Sequence, residues 1–372
     1  MNGSISEARE SGGAADRVPL REVLRHWLLH LLSFLVPVLT LLFVATGPHR
    51  WWVALAFLVP LTAVDLADAW SPDDTRQPPK ALPQWPFDAL LYALFAIQVL
   101  TVVLAAHLVS QTGLFSVDGL VLVLVVPGSS AFSIITAHEL IHRHERHLRL
   151  MGRIMMGLVL YEHFYTEHVR GHHRRVGTPA DPATARFGET FWAFFRRTVP
   201  GQLRSAWRLE TARLGDVDMK PWDRRILGSR VVHGLVLEWL FAFGLLAVFG
   251  PAAFALHLVQ AVGAFGALEV VNYFEHWGLA RRGKRVRPVD SWDTSNKFTL
   301  YGLVGLSRHA DHHAFAARPF QSLRHWEESP KLPRGYSGMS RLVIFDNAGF
   351  QRQMTAELER LKLGPFAEQD AV

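Results

Sequence analysis

The chain alternates polar segments with apolar runs, and the runs are too long and too unbroken to be single faces of amphipathic soluble helices. From Trp27 to Thr46 it reads WLLHLLSFLVPVLTLLFVAT, without a Lys, Arg, Asp or Glu and close to the ~20 residues that cross a bilayer. Comparable runs fall near 51–68, 87–109 and 118–137. A longer stretch from Val231 to Val271 is interrupted at Gly250-Pro251, which reads as two helices joined by a tight turn, near 231–249 and 252–271. The pattern predicts an all-α integral membrane protein of six transmembrane helices. Residues 1–26 read as a polar N-terminal tail rather than a secretory signal, because the first apolar run starts late, is long and lacks a small-residue cleavage site. Residues 27–372 read as a single membrane domain.

Two polar regions of any size remain, roughly His138 to Arg230 and Arg281 to Val372, with no internal repeat or low-complexity tract. The first contains an apolar piece, Met151 to Tyr161, too short to span and expected to be a buried or interfacial helix. The second carries PKLPRGYSG, expected to be an ordered loop because aromatic and apolar residues continue through it.

Charge placement orients the bundle. Arg9, Arg17, Arg21 and Arg25 precede the first run, Arg76 and Lys80 lie between the second and third, and arginines crowd the segment after the fourth. The intervening loops near Pro48 and Gln111 and the Gly250-Pro251 turn hold only Arg50. The positive-inside rule therefore predicts a multi-pass protein of the cell inner membrane with both termini and the large polar segments cytoplasmic. Flanking arginines account for the net charge of +6 without nucleic acid, for which no binding motif is present.

Composition narrows the chemistry. With no Cys among 372 residues there is no disulfide framework, no thiolate-ligated zinc, iron–sulfur or haem site, and no cysteine nucleophile. A metal must rest on His, Asp or Glu, and the chain has 19 His. HELIHR, directly after the fourth run, places His138 and His142 four apart on one helix face, so that two imidazoles can reach one metal. EHVRGHH repeats the i, i+4 spacing with His168 and His172 and adds His173, NYFEHWGL contributes His276 after the sixth run, and LSRHADHH gives His309, His312 and His313. Independent placement does not readily give three such pairs on one side of one membrane. Imidazole suits Zn, Cu, Fe and Ni, and nine ligands exceed what one metal uses, so two metals are implied, with a position open for substrate or dioxygen.

Within the same motifs Glu139, Glu167, Glu275 and Asp311 are candidate acceptors for a ligand's second ring N–H. Asp65 and Asp68, ending the second run, either face the same interior or are solvated helix-end residues. His49, His107, His144, His147, His233, His257 and His325 read as ordinary surface or hydrogen-bonding residues.

At these residues the chain resembles the membrane-bound alkane monooxygenases, non-haem di-iron hydroxylases within the fatty acid desaturase/hydroxylase superfamily. HELIH, HVRGHH and HADHH fill that superfamily's three histidine boxes, and NYFEHWGL matches the motif that separates alkane and xylene hydroxylases from desaturases. The similarity continues through SWDTSN, RPFQSLR and LPRGYSGM in the family's order, with Ile141, Arg143, Ser307 and Ala310 departing from common family residues. It implies two Fe ions held by the nine histidines, O2 as co-substrate, and hydroxylation of a terminal C–H of an apolar hydrocarbon entering from the membrane lipids past residues such as Phe57, Phe87 and Phe95. It also implies a separate electron donor, a rubredoxin or ferredoxin with its reductase, because this chain has no Cys to hold such a cluster. The basic residues Arg174, Arg175, Arg281, Arg282 and Lys284 suit an acidic carrier.

Rival readings are a xylene- or cymene-type methyl hydroxylase, which shares these boxes, and a desaturase or hydroxylase of acyl lipids, separable by product. HELIH also satisfies HExxH, the zinc-protease motif with Glu139 as base, but that leaves six of the nine histidines without a role. A metal transporter would line its path through the bilayer with polar groups, which the first three runs lack.

Overall fold

The computed structural model describes residues 18–367. Residues 1–17 of the expected tail lie outside these. The described residues are helical, without a named strand, and six helices are long and apolar enough to cross a membrane: α1 (Leu20–Thr46), α2 (Trp51–Trp70), α3 (Trp85–Thr112), α4 (Val117–His142), α8 (Arg230–Phe249) and α9 (Pro251–His276). The chain is a multi-pass membrane protein. Helix α1 begins at Leu20, inside the segment expected to be tail, and passes through a 3-10 turn at Leu31–Phe34. Its first turns are amphipathic, so polarity hid them.

Helices α4 and α9 overshoot the expected ends at 137 and 271, reaching His142 and His276. Each has 26 residues, about 39 Å of helix against ~30 Å of hydrocarbon. Their last turns carry His138, His142 and His276 beyond the apolar runs. Ser116 starts α4 by accepting the Gly119 N–H at 3.0 Å. Gly250, at φ 85°, turns the chain between α8 and α9, and Pro251 opens α9 where its missing N–H costs nothing.

The two ligand-bearing spans pack against each other at the centre. Pro127, inside α4, rests on Gly263 of α9, where a Cβ would meet the Pro127 Cβ at 2.5 Å. α4 has 56% of its most apolar stretch buried, whereas α2 has 11%, so α2 is a peripheral helix facing lipid. Phe43, Val102, Leu122 and Leu256 form the core at the far end of the bundle.

The remaining elements build a cap over the histidine-bearing end. α5 (Arg146–Gly157) packs on α4 through Leu148, Gly152, Met155 and Met156, and is the short non-spanning helix expected near 151–161, displaced by a few residues. α6 is a composite helix: His163–Glu167, a π-helical turn His168–His172, then His173–Arg175. α7 (Phe191–Arg213), α10 (Lys297–Gly302), α11 (His309–Ala314), α12 (Tyr336–Phe345) and α13 (Asn347–Leu361) complete it. Phe194, Tyr273, Trp277, Trp292, Met339 and Phe350 form the core beneath α7 and α13.

The PKLPRGYSG segment is ordered. Lys331 bonds Asp293 at 2.7 Å, and Asp68 accepts the O–H of Thr299 in α10 at 2.5 Å and the N–H of Gly338 in the first turn of α12 at 3.1 Å. Asp65 bonds Ser337 and Arg341. The two acids thus tie α2 to the cap.

Candidate metal centre

The nine histidines meet in two groups. The ligand nitrogens of His138, His142, His168, His173 and His312 all lie within 4.8 Å of one another. So do those of His172, His276 and His313, and an overlapping set joins His276 to His309 and a carboxylate oxygen of Glu275. Three chain segments feed the first group and three feed the second, so neither forms before α4, α6, α9 and α11 have packed.

Helix geometry explains the assignment. His138 and His142 share a set at i, i+4; His309 and His313, also four apart with ring centroids 4.3 Å apart, fall in the two sets that share His276 and together make a four-histidine group. α6 differs: the partner of His168 is His173, five residues on, while His172 goes to the other group. The π-helical turn, with its i→i+5 repeat, brings His168 and His173 onto one face and turns His172 away. The expected i, i+4 pair in this box is therefore replaced by an i, i+5 pair.

The nitrogens crowd more closely than hydrogen bonding permits. His168 Nε2 lies 2.8 Å from His138 Nε2 and 3.1 Å from His173 Nε2, which in turn lies 3.1 Å from His312 Nε2. Each Nε2 is one donor or one acceptor, so a run of four cannot satisfy itself. A cation between them does: nitrogens ~2.1 Å from one ion stand about 3 Å apart. In the second group His172 Nε2 to His313 Nε2 and His309 Nε2 to His276 Nε2 are both 3.3 Å. The donor set fits metal in both groups.

Burial, reinforced by neighbouring imidazoles, holds His168, His173, His309, His312 and His313 well below the usual histidine range. They are neutral near pH 7, the form that binds metal. Glu167 is pushed up to about 7 by burial, against the pull of the Ser205 hydroxyl and Arg175.

The acids are used differently from expectation. Glu139 pairs with Arg143 at 2.8 Å and accepts the Phe320 N–H at 3.3 Å. Glu167 pairs with Arg175 at 2.8 Å. Asp311 pairs with Arg318 and accepts the Trp326 Nε1–H at 2.7 Å and the Arg324 N–H at 2.9 Å. None of these three bonds a histidine ring. Glu275 stands among the ligands, 3.3 Å from His309 Nε2, and accepts the Tyr336 O–H. The acceptor that orients a ligand is Asp181, 2.9 Å from His172 Nδ1 and held by the Thr184 hydroxyl at 2.6 Å. Asp181 sits in a Pro-flanked turn with no periodic signal. Glu269, buried in α9 and bonded by Tyr161, Gln202 and Asn272, was also missed. An acid inside an apolar run is the signal that would have found it.

The seven histidines read as ordinary lie outside both groups, as do His26, His30 and His163. His49, for instance, bonds Asp118 at 2.8 Å at the far end of the bundle.

An apolar cavity of about 240 Å³ is lined by Val64 of α2, Ile134 and Ile135 of α4, Leu268 and Val271 of α9, and Tyr336, whose O–H bonds Glu275. Phe57, Phe87 and Phe95 do not line it: Phe87 is fully buried in the core and Phe57 packs at the far end.

Comparison with known proteins agrees with this arrangement. Residues 118–342 match the fatty acid desaturase family. The chain is similar to the alkane 1-monooxygenase of Acinetobacter baylyi, 34% identical over 306 residues, 80% of this chain and 73% of the relative. It is similar to alkane 1-monooxygenase 1 of Alcanivorax borkumensis, 33% identical over 333 residues, 86% and 82% of the two chains. Similarity to the xylene/toluene monooxygenase hydroxylase component of Pseudomonas putida is lower, 26% over 199 residues, 53% of each chain.

Proposed function

The chain belongs to the fatty acid desaturase family and, within it, to the alkane 1-monooxygenases, and from that premise we propose that it is a di-iron monooxygenase hydroxylating a terminal C–H bond of an alkane. The observation that carries the reading is the convergence of nine histidines, five in one set and four in two sets that share His276, with an apolar cavity joined to them through the Tyr336–Glu275 hydrogen bond. In balance, alkane, O2, two electrons and two protons give a 1-alcohol and water.

His138, His142, His168, His173 and His312 hold one iron; His172, His276, His309 and His313, with Glu275 alongside, hold the other. Bound iron supplies dioxygen activation and the redox change. The protein's own residues set the conditions. Buried imidazoles arrive neutral, so no proton must leave them before they bind metal. Asp181 accepts the Nδ1–H of His172 and so directs Nε2 towards His313. The cavity offers hydrocarbon side chains along most of its wall, and Tyr336 joins its inner end to Glu275. Lipid-facing α2 forms one wall, which supports lateral entry of substrate from the bilayer.

Electrons come from a separate carrier of the rubredoxin or ferredoxin class and its reductase. A cleft of about 1220 Å³, lined by Arg175, Arg186, Arg197, Arg204 and Arg208, has Asp181 in its lining, one hydrogen bond from His172. Arg175 and Arg197 are paired to Glu167 and Glu189, leaving exposed Arg186, Arg204 and Arg208 to attract an acidic carrier. The arginine distribution along the chain supports an inner-membrane position with this end and both termini cytoplasmic.

Purified protein should carry two irons per chain. Cells expressing it with a rubredoxin and reductase should convert n-alkanes to 1-alcohols, and His138→Ala and His312→Ala should lose metal and turnover together. Stoichiometric zinc without iron, or alkenes from acyl substrates as the product, would overturn the reading.

A further inference from the structure

We propose that the groove between the first turns of α1 and α3 binds an anionic phospholipid of the surrounding bilayer, with one acyl chain in the groove and the headgroup on its cationic rim. The inference stands apart from the metal chemistry above. Helices α1 and α3 hold 27 and 28 residues, about 40 and 42 Å of helix against ~30 Å of hydrocarbon. About two turns of each therefore reach past the hydrocarbon. The apolar run of α1 begins only at Trp27, and the one charged residue of α3 is Asp88 in its first turn, so this surplus lies at the N-terminal end of both helices.

The groove has a volume of about 740 Å³ and a nearly all-hydrocarbon lining, in which Leu20, Leu24 and Trp27 of α1 stand with Pro83, Trp85 and Ala89. Its walls are joined where the Trp27 Nε1–H donates to the Pro86 carbonyl at 2.9 Å. Leu20 and Trp85 are 71% and 76% exposed, so large apolar groups turn outwards where the chain meets the headgroup layer, the level at which tryptophans gather. Arg21 and Lys80, both exposed, adjoin the lining residues Leu20 and Ala81. At about 100° per residue, Arg21 stands next to the Leu20–Leu24 stripe and Glu22 on the far side of α1. Glu22 there lines a separate polar cleft with Arg25 and Arg76. Asp88, beside Ala89, is paired with Arg143 at 2.8 Å. The rim of the groove is therefore cationic.

Other occupants fit less well. Residues 1–17, which lead up to the groove, include only Met1 and Ile5 as large apolar side chains, too few to fill it. The groove shares no residue with the cavity at Tyr336, so it is not the place where an alkane meets the metal centre. A phospholipid matches both parts of the feature, hydrocarbon against the lining and phosphate against Arg21 and Lys80. Each such cation raises the affinity for an anionic headgroup by about fivefold.

Native mass spectrometry of the full chain, stripped of lipid in a neutral detergent and titrated with phosphatidylglycerol or with phosphatidylcholine of the same acyl chains, tests the assignment. One phosphatidylglycerol per chain should be held about 25-fold more tightly than phosphatidylcholine, the product of two such cations. The double variant Arg21→Gln/Lys80→Gln should bind the two lipids equally, at the affinity of phosphatidylcholine. Ala89→Trp, which fills the groove from an exposed position, should lose the tight site for both. Unchanged melting curves without lipid establish that the variants are folded, and if Ala89→Trp is not, Leu24→Trp fills the groove from the opposite wall. Equal affinity for the two lipids in the unaltered protein, or a preference that survives either change, would overturn the inference. So would dimers that Ala89→Trp disperses, which would give the groove to a second copy of the chain, or displacement of the bound lipid by n-hexadecane, which would give it to substrate.

Discussion

Replacing Asp181 with Asn isolates the work of one carboxylate. Its Oδ2 accepts from His172 Nδ1 at 2.9 Å and from the Thr184 hydroxyl at 2.6 Å, while Oδ1 accepts the Ala183 N–H at 3.2 Å. Asn fits the same space and can still accept from His172. It loses the charge, and its amide N–H2 must then face the Ala183 N–H, itself a donor. A hydrogen bond to a charged group contributes about 1.5–3 kcal/mol against about 1 for a neutral one. With the mismatched donor added, the loss comes to about 1.5–2.5 kcal/mol, or about 10- to 100-fold in metal affinity. His172 belongs to the four-histidine group alone, so the loss falls on one metal. Chelator competition on detergent-purified protein, with residual iron measured by plasma emission, should show release in two steps. The weaker step should move 10- to 100-fold to lower chelator while the other stays in place. Asp181→Ala should move it further, because the His172 Nδ1–H is then buried without a partner. If both steps shift together, or neither does, the assignment of Asp181 to one metal is wrong.

Glu139→Gln should keep both irons and oxygen consumption, because Glu139 serves Arg143 and the Phe320 N–H rather than a metal; loss of iron on this change would contradict the geometry. Gly263→Ala should lower the detergent unfolding temperature by an amount matching about 1–3 kcal/mol of overpacking, since the new Cβ meets the rigid Pro127 ring at 2.5 Å; an unchanged melting curve would mean that α4 and α9 are not in this contact. Glu162, outside the spans, is pushed up to about 7 by burial despite Arg153. The folded state then binds a proton that the unfolded chain has released above its ordinary value, so stability falls as pH rises from about 4.5 to 7. Glu162→Gln should remove up to about 3 kcal/mol of that fall, and identical pH–melting profiles for the two proteins would refute the assignment.

The spans were legible in the sequence because six unbroken apolar runs have no other stable disposition, and the ligands because nine histidines recur at helical spacing. What was not legible depended on departures from ideal helix. The overshoot of α4 and α9 is invisible to hydropathy, since polar residues past the bilayer read as loop. The exchange of roles between His172 and His173 requires the π-helical turn, and composition carries no sign of it. Asp181 reaches its histidine from a turn nine residues downstream, and Glu139 is claimed by Arg143, so adjacency along the chain misplaced the acids. The cavity escaped because residues facing it and residues facing lipid are equally apolar.

The π-helical turn has a thermodynamic consequence for assembly. It lacks the i→i−4 ladder of the helix on either side, so its intrinsic persistence is low, yet with His173, the residue that follows it, it supplies three ligands to two ions. Order in that turn is then contributed in part by the ions themselves. The turn should therefore be where hydrogen exchange first registers the loss of either ion.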